Sequence, residues 1–447
     1  MKQKKSKFSL RALLFTAVLL IISSRLFAAS LQLGADYLLR GVQTTERENT
    51  ISGNSYYDQR IQAYLSTSLS KEVEATVRVQ SITPWGLEGS TSPLTTIYPN
   101  ANGNLWVQNA FIRLPNIWQK RIVLTVGRQP IQWGDGQILS DDERGFNAIR
   151  AQIKSPVKWL NFDLDAFTAK IKETLREKKD SDLNGALLGF DHDYVRWEIM
   201  GLWDNDKAPQ NYELGAETIP VVVSQLNRVI YGVRAKANLK DAYLVGAYYM
   251  QSGKIKRGGG QPDITLDGSA YQIGLGGRQE NKVIGRVGAF AEVTEGSGDQ
   301  ASTPNTDEAF RPTFSSRWSG LERMGQGRYF AATFSDATSP SDPFAPASST
   351  NDGLPPGTSG IQSWRFGLEF NPWAPWVFTF DYYQYKALKN QSGPKDLGTE
   401  FDYGIAYQYS GLVTVKATSN DFIPGKAFDE ATSQKANLSS IEIQVKF

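Results

Sequence analysis

From residue 31 onward the chain alternates between apolar and polar positions. Leu31, Leu33, Ala35 and Tyr37 are interleaved with Gln32, Gly34 and Asp36, and Ile61, Ala63, Leu65, Thr67 and Leu69 with Arg60, Gln62, Tyr64, Ser66 and Ser68. Val73, Ala75, Val77 and Val79 alternate with Glu74, Thr76, Arg78 and Gln80, and the pattern returns over 231–239 and 283–293. A period of two puts one apolar and one polar face on each strand. No long amphipathic helix stands out.

The connections also alternate. Tight turns fall at 70–72, 115–120, 155–160, 191–193, 239–241, 278–281, 371–375 and 410–411. Between them lie longer polar stretches at 41–56, 84–104, 130–146, 171–183, 204–228, 253–266, 295–359, 387–397 and 420–436. Short turns at one end and long loops at the other predict an all-β fold, a transmembrane antiparallel β-barrel of about 18 strands, with 16 as the alternative. The short turns lie on the periplasmic side and the long loops outside the cell. A soluble sandwich would need polar outward faces, and these rows of Val, Leu, Ile, Phe and Tyr are not polar.

Residues 1–28 read as a signal peptide. Lys2, Lys4, Lys5, Lys7 and Arg11 form a basic start, residues 12–22 an apolar run, and Phe27-Ala28-Ala29-Ser30 a cleavage region with small residues. The apolar run is roughly half the ~20 residues of a membrane-spanning helix. The barrel is therefore assigned to 29–447, in the outer membrane of a Gram-negative-type bacterium. The chain ends Ile441-Glu442-Ile443-Gln444-Val445-Lys446-Phe447, an alternating strand closing on an aromatic residue. That ending suits recognition of Phe447 by the barrel-assembly machinery.

Composition agrees with this reading. The 11 Trp and 19 Tyr can supply interfacial girdles, and Trp118, Trp159, Trp373 and Trp376 sit at or beside the short turns. A mean hydropathy of -0.38 is compatible with a membrane barrel, because only every second strand residue meets lipid. The formal charge is +2, and removing the six basic residues of 1–28, which hold no acid, leaves about −4. Such a chain gives no support for nucleic-acid binding. The absence of cysteine excludes disulfides and thiolate metal sites.

A barrel of this size needs a polar inner face, and that face is rich in guanidinium. Arg60, Arg78, Arg150, Arg196, Arg234, Arg286 and Arg365 fall opposite the apolar set, with Lys236. Arg128 joins them if a bulge at Gly127 reverses the parity set by Ile122, Leu124 and Val126. Glu74, Asp163, Asp165, Glu198, Glu292, Glu369, Asp381 and Asp402 share these faces. Planar guanidinium forks match carboxylates, so the arginines can bind anionic solutes. Equally, arginine and acid pairs can brace the wall. Catalysis has little support: the one histidine, His192, falls in the turn 191–193. Asp141-Asp142-Glu143 and Asp204/Asp206 could bind calcium loosely, but solvated loop charge is the simpler reading. Gly258-Gly259-Gly260 has no following helix and is no phosphate cradle. No cofactor is expected. The segment 295–359 is long enough to fold over or into the pore, with 335–358 the part whose deletion would test this.

Several motifs follow one another along the chain. They are Val126-Gly127-Arg128-Gln129 through Trp133-Gly134-Asp135-Gly136-Gln137, then Phe146-Asn147-Ala148-Ile149-Arg150. Ala291-Glu292 leading to Gly296-Ser297-Gly298-Asp299, with Phe310-Arg311-Pro312 after it, continues the series. Leu397-Gly398-Thr399-Glu400-Phe401-Asp402 and Phe422-Ile423-Pro424-Gly425 complete it. Together these motifs resemble the alginate-export family of outer-membrane porins, a resemblance that spans about 105–447. It implies a monomeric barrel with an arginine-lined conduit for an anionic polysaccharide. Arg128 and Arg150 carry over as conduit arginines, and Asp299, Glu400 and Asp402 as matching lumen acids. The expected activity is passive passage of anionic saccharides or other carboxylates, with no chemistry of the protein's own. The alternatives are a general diffusion porin with little charge selectivity, or an adhesin or enzyme displayed on a barrel.

Overall fold

The computed structural model describes residues 30–45, 54–85, 105–155, 157, 161–173, 179–207, 210–212, 221–283, 285–300, 302–312, 314–316, 318–319, 321–334, 354–355, 357–391, 393–428 and 434–447. Residues 1–28, read above as a signal peptide, Trp159 and most of 335–358 lie outside these residues. The chain forms a closed antiparallel barrel of 18 strands, as the alternation predicts. They are β1 (Ser30–Thr45), β2 (Asn54–Ser68), β3 (Glu74–Pro84), β4 (Trp106–Ile117), β5 (Ile122–Gln129), β6 (Phe146–Lys154), β7 (Phe162–Lys172), β8 (Ser181–His192) and β9 (Val195–Asp206). The second half comprises β10 (Val221–Asn238), β11 (Ala242–Arg257), β12 (Ile264–Asn281), β13 (Gly285–Gly296), β14 (Thr358–Asn371), β15 (Trp376–Asn390), β16 (Asp396–Gln408), β17 (Val413–Pro424) and β18 (Ala436–Lys446). Each strand pairs with its sequence neighbour, and β18 pairs with β1 from Asp36↔Lys446 to Thr45↔Asn437. Closure leaves no open edge for backbone groups in lipid.

The outward faces carry Leu31, Leu33, Ile61, Leu65, Ile199, Trp203, Ile273, Leu275, Trp364, Phe366 and Leu368, all exposed. Side chains that would aggregate in water are at home in hydrocarbon, so this belt seats the barrel in the outer membrane. Several of the long loops are shorter than the sequence suggests. β11 runs to Arg257 before β12 begins at Ile264, and β15 runs to Asn390 before β16 begins at Asp396. Above the lipid both strand faces are wet, so strands there lose the apolar half of their alternation. His192 ends β8 instead of sitting in the turn, and its ring is solvent-exposed.

The lumen is not an open tube. Residues 130–145 and the described residues of 297–334 turn inward and pack on the wall. Ile131, Trp133, Ile138 and Leu139 form a buried cluster with Phe167, Leu183, Met200, Leu202, Ile230 and Tyr249 of the inner wall, joined by Phe310 and Phe334. Trp133 meets Phe167 edge-on at 5.1 Å. A second cluster seats Tyr329 and Phe330 against Tyr385, Leu397 and Phe422. Each buried large apolar side chain contributes about 1.5–3 kcal/mol, so both loops are held as parts of a core. Here the wall departs from the polar inner face predicted for it. The pairs Leu187/Leu188, Ile199/Met200 and Val229/Ile230 are apolar on both sides, one side for lipid and the other for a loop.

Candidate functional site in the lumen

The two inserted loops are tied together. Ser140 N–H donates to Phe314 O at 2.6 Å, and Ser316 N–H to Gly136 O at 2.7 Å. Glu143 of the first loop accepts from Ser319 of the second at 3.1 Å and from wall Arg60 at 2.8 Å. Around Gly134–Gly136 the first loop makes a tight turn with Asp135 at a left-handed φ of 52°, and Asp135 pairs with Arg234 of β10 on the wall the loop packs against.

Inward parity brings most of the sequence-predicted cations beside acids. Arg150 holds Asp165 through two bonds of 2.8 and 2.6 Å, and Trp133 Nε1 donates to the same carboxylate at 3.1 Å. Arg196 contacts Asp163 at 2.9 Å, Glu198 at 3.1 Å and Asp191 at 3.3 Å. Arg234 reaches Glu198 at 3.2 Å. Arg60 also approaches Asp36, at 3.9 Å. Arg286 lies 3.5 Å from Glu369. Arg78 stacks 5.5 Å from the centre of the Tyr64 ring. Lys236 stands directly opposite Arg196 in the β9–β10 ladder and has no ion pair among the described residues.

Arg128 differs from expectation. Gly127 has a left-handed φ of 124°, yet neither adjoining ladder slips at this position. Arg128 therefore keeps the parity of Val126, and its Nε donates to the carbonyls of Arg144 at 2.7 Å and Gln108 at 3.2 Å. It pins the root of the first loop.

Among the acids, Glu400 is fully buried, and it accepts the main-chain N–H groups of Tyr329 at 2.5 Å and Phe330 at 3.0 Å, with the Tyr385 hydroxyl at 3.0 Å. Asp402 accepts the N–H of Arg328 at 3.1 Å. Both acids thus anchor the second loop. Asp299 lies in that loop, accepting the N–H of Glu308 at 3.2 Å, and burial together with nearby Asp307 raises its pKa. Burial likewise pushes the Asp141 carboxyl up to about 6, although it accepts the N–H of Gly145 at 2.8 Å. Glu322 behaves oppositely. Burial alone would raise it, but Arg328 and Lys416 hold it down at about 2. The acid pairs considered for calcium are occupied otherwise: Asp204 holds Arg228 at 2.6 Å and Glu143 holds Arg60. Among the described residues no three metal-ligating side chains converge.

Between the loops and the wall of β12–β14 lies a chamber of about 280 Å³. Asp135, Gln272, Glu292, Gln326, Phe334 and Arg365 contribute to its lining. Glu292 and Arg365 are register partners, but the Arg365 fork turns to Asp381 at 3.1 Å and stacks 4.2 Å from the Phe290 ring. Sequence reading missed Asp135, Glu143 and Gln326 as lumen residues. They belong to loops, and no periodicity tells which way a loop folds.

No family model matches the chain, and no curated protein matches it. Solved structures do. A BenF-like porin from Pseudomonas fluorescens Pf-5 aligns at TM-score 0.54 and 12% identity, covering 94% of this chain and 98% of its own. OccK3 (OpdO) of Pseudomonas aeruginosa aligns at TM-score 0.54 and 11% identity, over 93% of this chain and 96% of its own. OpdK, an outer-membrane protein of the same organism, aligns at TM-score 0.51 and 11% identity, over 93% and 99%. At these identities the likeness is one of fold: this chain shares the architecture of outer-membrane porins.

Proposed function

We propose that the protein is a passive outer-membrane channel for small carboxylate-bearing solutes, working as a single barrel. The observation that carries this reading is the partition of a wide barrel by two packed loops. What remains between loop and wall is small chambers and a polar lining of fixed arginine forks, with Lys236 left unspent beside Arg196. Fixed donors in a confined polar passage favour solutes that present planar acceptors. One of the structurally similar porins, OpdK, has been solved with vanillate, itself a carboxylate. The anionic polysaccharide implied by the alginate-export resemblance is the less favoured cargo, because a chamber of about 280 Å³ suits a small molecule.

A second reading, a general diffusion porin, draws on the same pairs. Arg150, Arg196, Arg234 and Arg365 each spend contacts on acids, and paired charges brace more than they select. Reversal potentials in planar bilayers under a KCl gradient separate the two. Anion preference that declines in Lys236→Ala supports the carboxylate channel. Equal cation and anion permeability in the unaltered protein supports the general porin, and no conductance at all refutes both.

A further inference from the structure

We infer that Glu292 is a binding group for a protonated amine, so that the solutes lodging in the chamber carry an ammonium as well as a carboxylate. The inference deepens the channel reading and rests on it.

Glu292 projects from β13 into the chamber with the register of an ion pair and the contacts of something else. Its cross-strand neighbours on the inner face are Gly274 and Arg365. Arg365 is drawn away by Asp381 and the Phe290 ring. Gly274 offers no side chain, and a Cβ there would stand 3.3 Å from Glu292 Oε2. No lysine or arginine among the described residues pairs with Glu292.

Two amides take the place of a cation. Gln272 Nε2 donates to Glu292 Oε2 at 2.9 Å, and Gln326 Nε2, from the second inserted loop, donates to Oε1 at 2.6 Å. A carboxylate only accepts, so both amides must turn their NH₂ groups toward it. Their oxygens are thereby committed to face elsewhere, and both Gln272 Oε1 and Gln326 Oε1 are buried without a hydrogen-bond partner. Each Glu292 oxygen keeps a further acceptor position beyond its amide bond. The chamber thus presents a carboxylate whose bonded partners are two amides and no cation, with Arg365 acting on it only from the neighbouring strand. An ammonium is the group that donates to the remaining acceptor positions of Glu292 and brings the cation that no wall residue places within pairing distance. Arg365 lines the same chamber and has N–H donors beyond those facing Asp381, which suits the carboxylate end of the same solute. A volume of about 280 Å³ has room for a simple amino acid.

The test compares three solutes of one shape: alanine, lactate and propionate, which differ only in ammonium, hydroxyl or hydrogen at the second carbon. Uptake of labelled solute into proteoliposomes gives an alanine-to-propionate ratio for the unaltered protein, for Glu292→Gln and for Lys170→Ala, a control on β7 whose ammonium pairs with Asp182. A ratio well above one in the unaltered protein and in the control, falling by about tenfold in Glu292→Gln, is expected for loss of a charge-assisted contact. A ratio near one in the unaltered protein, or one untouched by Glu292→Gln, overturns the amine site. A lactate rate matching alanine overturns it too, since a hydroxyl would then suffice. If no solute enters with the unaltered protein, the channel reading itself has failed. Gln272→Leu, which removes one amide and keeps Glu292, must also lower the ratio if the clamp shapes the site.

Discussion

Glu400 on the barrel wall holds Phe330 of the inserted loop by its backbone: the buried carboxylate accepts the Phe330 N–H at 3.0 Å while the Phe330 ring stacks 5.1 Å from Phe422. One acid thus satisfies main-chain donors that would otherwise be orphaned inside a dry aromatic pocket. Such donors cost about 1–3 kcal/mol each when left unpaired. Glu400→Leu removes the acceptor for Tyr329 and Phe330 together. The loop is expected to leave the wall, lowering the melting temperature and raising single-channel conductance. A variant that melts and conducts like the parent would show that the aromatic stacking alone suffices.

That anchor marks the boundary of what can be read from a sequence here. The barrel was legible because a two-residue period survives wherever lipid lies on one side and water on the other, as at Ile61–Leu65. Where a loop replaces water, the period fails: Ile199 and Met200 are both apolar, one facing lipid and one facing Leu187 and the first loop. Parity placed Glu400 on the inner face, but only the fold of 297–334 makes it a latch. Arg128 shows a further limit. A glycine that looked like a bulge has the unusual φ without the extra residue, so the parity does not reverse.

Arg150 and Asp165 form a largely buried, two-pronged pair under Trp133. Removing one partner of such a pair costs about 3–5 kcal/mol, because the other charge stays behind in a poor solvent. Arg150→Met should therefore destabilise strongly, and the double change Arg150→Met with Asp165→Leu should recover much of the loss. Thermal melting of Arg150→Met, Asp165→Leu and the double variant decides it. If the double variant is as unstable as the two single changes added together, the pair is not a coupled unit.

Acid should reach the second loop through Glu322. Its carboxyl titrates at about 2 in the folded protein, below the ordinary value of about 4.3. A lowered folded pKa contributes stability that is complete above the ordinary value and is lost as pH falls toward 2. The pair with Lys416 and Arg328 should therefore hold the loop unchanged from neutrality to about pH 5 and weaken below. Glu322→Gln should remove that low-pH step from the melting curve measured against pH. A step of unchanged size in the variant would assign it to another acid.

Gly185 tests whether the first loop must lie against the wall. A Cβ at this position would come within 2.4 Å of the Phe167 ring and 2.6 Å of the Trp133 ring. Both obstacles are side-chain tips. The wall ring is fixed by its strand, while Trp133 belongs to an inserted loop and is the freer of the two to move. Overpacking of this kind costs about 1–3 kcal/mol, and here it falls on the contact that seats Trp133 over Asp165. Gly185→Leu should loosen residues 130–145 without disturbing the β7–β8 ladder. Faster amide exchange over those residues, together with larger or noisier single-channel currents, is the expected result. Faster exchange in β7 and β8 with a quiet loop would mean that the barrel wall, not Trp133, had given way.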